Sequence, residues 1–286
     1  MIEHWPIAIS TGCCRASTLP KVLAALVEAG AARAELGTPP EHFDVDDRLQ
    51  PWRLAEDLSR ARVELLSIHA PFGPRMDLAS ERQEFRDAAI EGAIMAARTL
   101  AGRPGAVLVI HPSDLPRDGG DTRARLRQAL ESLLLVDAAC RDLGLRLALE
   151  TPLPHLVGGH PDELRWLLDR VPPAVGVCID TGHAHLGRYI DQFLEMAGDR
   201  LLHVHIHDNH GTFDDHMIPG EGAIDWCAFF DGLRRVRYGG ALVLELSCDR
   251  PSVDYFRKAL AATRELCHAH APHMLPAAGT ADAGVT

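Results

Sequence analysis

The feature that most constrains this chain is a repeated alternation. Short β-branched or apolar runs are each followed by a longer stretch of helical periodicity, and the cycle recurs eight times. The strand candidates are 7–13, 33–36, 65–69, 106–111, 145–150, 175–180, 201–207 and 241–246. The helical pattern occupies 19–29, 51–62, 81–101, 122–143, 161–170, 188–197, 225–237 and 253–270. Gly30, Gly102 and Gly144 fall where left-handed helix caps belong, and Ser80 or Asp121 stands where a helix would begin. A β-then-α order requires parallel strands covered by helices, either as an open doubly wound sheet or as a closed barrel. No G-x-G-x-x-G follows the first strand, and polar residues end at least five of the strands, as they do around a barrel mouth. The expected fold is therefore α/β, a single (β/α)8 TIM barrel over residues 1–271. Periodicity is lost after that, and 272–286 is expected to be a disordered tail.

Length and charge narrow the function classes. A chain of 286 residues suits one barrel of the common size, about 250 residues. No apolar run approaches the roughly 18 residues of a membrane span, and the N-terminal stretch lacks a basic segment followed by an apolar core. A soluble, cytoplasmic protein with no membrane partner is expected. The net charge of −11 opposes binding to a polyanion, so nucleic acid is not an expected partner. The seven cysteines contain no C-x-x-C pair, which points to small buried residues rather than to disulfides or a cysteine zinc site.

The chemistry sits at the strand ends. The third and fourth apolar runs stop on His69 and His111, and the fifth and eighth stop on Glu150 and Glu245, where a buried carboxylate is costly without a partner. The sixth ends on Asp180, with His183 three residues on across what reads as a tight turn. In the seventh, a period of two sets His203, His205 and His207 on one side, expected to be the barrel interior. The loop beyond adds Asp214, His216 and Pro219-Gly220-Glu221-Gly222. A lone strand-terminal histidine is more often a core residue than a ligand, and His4, His42, His155, His160, His268 and His270 are read that way. Convergence decides otherwise for Glu150, Asp180, His205 and Glu245, which come from four strand ends on one barrel face and are expected to hold a divalent metal. Imidazole and carboxylate without thiolate suit Zn, Mn, Co or Fe.

These residues resemble the xylose-isomerase-like TIM-barrel superfamily, which contains sugar and sugar-phosphate isomerases and epimerases together with AP endonuclease family 2. The resemblance runs from about residue 7 to 266. It rests on His69-Ala70-Pro71, His111, Leu149-Glu150, Asp180-Thr181-Gly182-His183, His205 to Asn209, Asp214-x-His216, Pro219 to Gly222 and Leu244-Glu245. It implies one to three divalent ions, Mn, Zn, Co or Mg. In single-metal sugar epimerases the ion lies on positions matching Glu150, Asp180, His205 and Glu245, and the two glutamates are also the catalytic pair that moves the proton. In the abasic-site endonucleases those positions hold one of three zinc ions. Positions matching His69, His111 and Glu150 hold a second, and those matching His183, Asp214 and His216 a third.

By resemblance, a sugar or sugar-phosphate isomerase or epimerase is the leading reading. A multinuclear-zinc phosphoester hydrolase acting on a small substrate is the alternative. The residues taken alone slightly favour a multinuclear site, because four ligands suffice for one ion. The loop 70–77 departs from the aromatic-aliphatic stretch that the endonucleases insert into DNA, which sets DNA repair last. An inert barrel that binds a sugar or a protein is a third reading, opposed by the intact glutamate pair. Ala88, Ala89, Gly92 and Ala96 on one helix are expected to pack closely on the barrel, and they indicate no oligomeric state.

Overall fold

Burial on both faces is what the apolar runs are built for. In the computed structural model, which describes residues 5–44, 46–47, 50–117, 120–248 and 250–270, Val107–Ile110 and Gly176–Asp180 are buried at every position. The tail expected at 272–286 lies outside the described residues. The strands are β1 (Ile7–Ser10), β2 (Arg33–Leu36), β3 (Glu64–His69), β4 (Val107–Ile110), β5 (Arg146–Glu150), β6 (Gly176–Asp180), β7 (Leu201–Ile206) and β8 (Leu242–Leu244). Each pairs in parallel with the next, and β1 pairs with β8 through Ile7–Leu242 and Ile9–Leu244, which closes the barrel. No helix among the described residues is long and apolar enough to cross a membrane.

The helices are α1 (Leu19–Ala29), α2 (Gln50–Ala61), α3 (Gln83–Thr99), α4 (Thr122–Asp142), α5 (Pro161–Leu168), α6 (Thr181–Gly187), α7 (Ile190–Ala197), α8 (Trp226–Arg235) and α9 (Val253–Ala269). Helix α6 corrects the turn expected after Asp180. The Asp180 carboxylate accepts from the His183 backbone N–H at 2.7 Å as an N-cap, and Arg188 in the left-handed region (φ 57°) ends the helix after seven residues. An element that short carries no readable apolar stripe. At the other end of the chain, β1 stops at Ser10 and Thr11–Cys13 forms a 3₁₀ turn, so the first strand is shorter than expected.

Between barrel and helices lies an apolar shell that includes the fully buried Phe193, Phe229, Phe230 and Phe256, each worth about 1.5–3 kcal/mol of burial. Gly92 on α3 leaves room for the Met76 methyl, which a Cβ would meet at 2.5 Å, in keeping with close packing of that small-residue face. Inside the barrel, Val107, Val109, Ala148 and Cys178 form a small apolar layer with Leu202. The interior also holds polar groups, because the β2–β3 register slips between Ala34 and Glu35 and sets Glu35 opposite Ser67.

Two buried side chains hold the loops of the barrel mouth. Arg125 of α4 donates to Asp77 (3.3 Å), Ser113 Oγ (2.9 Å) and the carbonyls of Leu115 (3.1 Å) and Pro116 (2.7 Å), binding the loops after β3 and β4 together. Asp208 accepts from the backbone of Asn209 (2.9 Å), Gly220 (2.9 Å) and Ile224 (3.2 Å) and from Trp226 Nε1 (2.9 Å), which folds the loop after β7 back on itself. Gly222 is required there, since a Cβ would fall on the Asp208 carboxylate.

Candidate metal centre

Five histidines at the barrel mouth share one arrangement: one ring nitrogen is tied to an oxygen behind it, and the other is aimed at carboxylates. A carbonyl can only accept, so the tie fixes which nitrogen carries hydrogen. His69 Nδ1 donates to the Ala70 carbonyl (2.8 Å), and its Nε2 faces Glu150 Oε2 at 2.9 Å. His183 Nδ1 donates to the Thr151 carbonyl (2.9 Å), leaving Nε2 at 3.3 Å from Asp214 Oδ2. His216 Nδ1 donates to the Glu245 carbonyl (3.0 Å), leaving Nε2 at 3.0 Å from the same Asp214 oxygen. His111 Nδ1 lies 2.7 Å from Asp114, with Nε2 at 3.3 Å from Glu150. His205 Nε2 lies 3.1 Å from Glu35, with Nδ1 at 3.2 Å from Glu150 and 3.6 Å from Glu245. This oxygen-behind-imidazole pattern is how metal-binding histidines are oriented.

All nine residues expected in the site therefore converge. Glu150 is their hub: it reaches His69 and His111 with one oxygen and His205 with the other, and it is 1% exposed. Ligand atoms of His69, His111 and Glu150 lie within 4.8 Å of one another, as do those of His183, His207, Asp214 and His216. His207 stands outside the expected ligand set. It is interior as its alternation implied, with Nε2 3.0 Å from both Asp180 oxygens and its ring stacked on His216 at 3.9 Å. Its place depends on Gly182, where a Cβ would overlap the imidazole.

The donor set fits a divalent cation. His111 Nε2, His205 Nδ1, His207 Nδ1 and Asp214 Oδ1 are buried with no hydrogen-bond partner, and all four belong to this cluster. Charge tells the same story. Burial opposes protonation of His205, yet Cys178, Glu245, Glu35 and Glu150 outweigh it and raise the imidazole well above its ordinary range. Burial would likewise push Glu150 up, but His205 and His111 hold it well below the usual carboxylate range. His183 is pushed up to about 10 against its burial, chiefly by Asp180 and Asp214, and His216 to about 9, chiefly by Asp214. Metal-free, the cluster must borrow protons to balance its carboxylates; a cation would serve instead.

The centre forms the floor of a cavity of about 920 Å³, walled by residues that include Phe72, Leu153, Leu156, Arg15 and Thr38. Phe72 stands edge-on to His69 with ring centres 5.0 Å apart. His155, read from sequence as a core residue rather than a ligand, is instead exposed on the cavity wall. Three participants escaped the sequence reading: Glu35 and Asp114, which back His205 and His111, and Phe72. Glu35 carried a usable signal, since a carboxylate inside the apolar run 33–36 raises the same cost that marked Glu150.

Known proteins resemble this chain in sequence and in fold. An uncharacterized protein of Sinorhizobium fredii (strain NBRC 101917 / NGR234) is 36% identical over 123 residues, a match spanning 40% of this chain and 38% of that protein. Among solved structures, a D-tagatose 3-epimerase-like protein superposes with a TM-score of 0.78 at 21% identity, covering 92% of this chain and 97% of its own, a likeness of fold. A protein from Thermus thermophilus, soaked with ZnCl2, superposes with a TM-score of 0.67 at 25% identity, covering 90% of this chain and 98% of its own. The family model described as xylose isomerase-like TIM barrel matches residues 23–266, and the chain belongs to that family.

Proposed function

We propose that the chain is a divalent-metal-dependent isomerase or epimerase of a sugar or sugar phosphate. The observation that carries this reading is the placement of Glu150 and Glu245. Their Oε1 atoms lie 3.2 and 3.6 Å from the same nitrogen, His205 Nδ1, and both carboxylates line the cavity. Glu150, Asp180, His205 and Glu245 would hold the ion, which when bound supplies Lewis acidity toward a substrate carbonyl and its neighbouring hydroxyl. One glutamate then removes the acidified proton and the other returns it. His69, His111, His183 and His216, each with its ring nitrogens already oriented, bind substrate oxygens. Phe72 offers an apolar face to the C–H side of the sugar.

A second reading has its own observation. The groups His69–His111–Glu150 and His183–His207–Asp214–His216 are each compact enough for a further ion, which favours a multinuclear-zinc hydrolase of a small phosphoester. Elemental analysis of protein purified without chelator separates the two. About one Mn, Co or Mg per chain, unchanged in His69→Ala and His216→Ala, supports isomerisation or epimerisation. About two or three Zn per chain, falling in each variant, overturns it in favour of the hydrolase.

A further inference from the structure

We propose that Cys13, Cys14 and Cys248 form a binding site for a soft, thiophilic metal cation at the rim of the cavity, distinct from the histidine–carboxylate centre. The three thiols come from opposite ends of the chain and meet because β1 and β8 are paired at the barrel seam. Cys14 Sγ lies 3.1 Å from Cys248 Sγ and 3.5 Å from Cys13 Sγ, and the three sulfurs all fall within 4.8 Å of one another. Three sulfurs bound about 2.3 Å from one ion sit roughly 4 Å apart, so the trio needs only a small opening. Cys14 is fully buried, whereas Cys13 and Cys248 are half-buried on the cavity wall, which leaves an entry path.

The donors differ in kind from the centre below. Thiolates favour soft or borderline ions such as Cu(I) and Zn, whereas imidazole and carboxylate also accept harder ions such as Mn or Mg. A thiophilic cation displaces the thiol protons as it binds. With a divalent ion, three S–H bonds are exchanged for three metal–sulfur bonds, three protons leave, and one net negative charge remains. Arg15 shares that rim. Occupancy would also stiffen the segment that carries Glu245, because the Ser247 N–H donates to the His216 carbonyl at 3.0 Å.

The test is a Cd(II) titration of the reduced, full-length chain already loaded with its own divalent ion. The readout is the ultraviolet charge-transfer band of cadmium–thiolate bonds, which histidine and carboxylate ligands do not produce. The band should saturate at one Cd per chain. Cys13→Ser and Cys248→Ser should each weaken binding at least about tenfold, no less than the loss of an outer-shell partner costs. Cys227→Ser, which alters an exposed thiol elsewhere, should leave the titration unchanged. Absence of the band, or a band that survives unchanged in both rim variants, overturns the proposal.

Discussion

Glu35 does not line the cavity, yet the geometry makes metal affinity depend on it. It is fully buried beneath the centre, where one oxygen accepts from Ser67 Oγ (2.7 Å) and lies 3.1 Å from both His203 Nε2 and His205 Nε2. That contact holds His205 with Nδ1 facing Glu150 and Glu245, and the negative charge makes the imidazole a stronger donor. Glu35→Gln keeps the volume and an acceptor but removes the charge. Loss of such an outer-shell partner costs about 10- to 100-fold in metal affinity, or about 1.4–2.7 kcal/mol. At a fixed excess of metal the holo protein loses the same free energy, because stabilisation by a ligand follows the logarithm of its affinity. At about 2–4 °C per kcal/mol, the gain in Tm on adding metal should shrink by about 3–11 °C. Thermal melts with and without saturating Mn or Zn, together with a competitive chelator titration, measure both quantities. If the metal-free Tm falls but the gain on adding metal matches wild type, Glu35 is merely structural and the reasoning fails.

Arg125→Met strands the buried Asp77 carboxylate and should destabilise the protein by about 3–5 kcal/mol, read as a fall in Tm, while Asp77→Leu/Arg125→Met together should recover most of it. In the metal-free protein, His183 and His216 have pKa values raised to about 10 and about 9. Their contribution is complete below about pH 6.5, the unfolded value, and is lost as pH rises through 9–10, so the metal-free Tm should fall over that range. A flat metal-free profile between pH 6.5 and 10 would remove the charge argument for the cluster.

The parts of this molecule legible in its sequence are those written in periodicity and in cost. Alternation of apolar runs with helical segments announces the barrel, and Glu150 and Glu245 announce themselves because a carboxylate ending a buried strand needs a partner. Helix α6 was not legible, since seven residues, two of them glycine, present no stripe. Glu35 carried the cost of a buried carboxylate but not its destination, which depends on a register slip between β2 and β3, a tertiary event. Cys14 and Cys248 lie 234 positions apart, and their contact follows from barrel closure rather than from any local spacing.

In the proposed function, Glu150 and Glu245 move a carbon-bound proton of a substrate held at the metal centre. Incubating the metal-loaded chain with a panel of ketoses and ketose phosphates in D2O tests it most directly, by following deuterium at the carbon next to the carbonyl. Incorporation is expected with at least one member of the panel, abolished by chelator and in Glu150→Gln and Glu245→Gln alike. No incorporation across the panel, while the same zinc-loaded protein hydrolyses a small phosphoester, would contradict it.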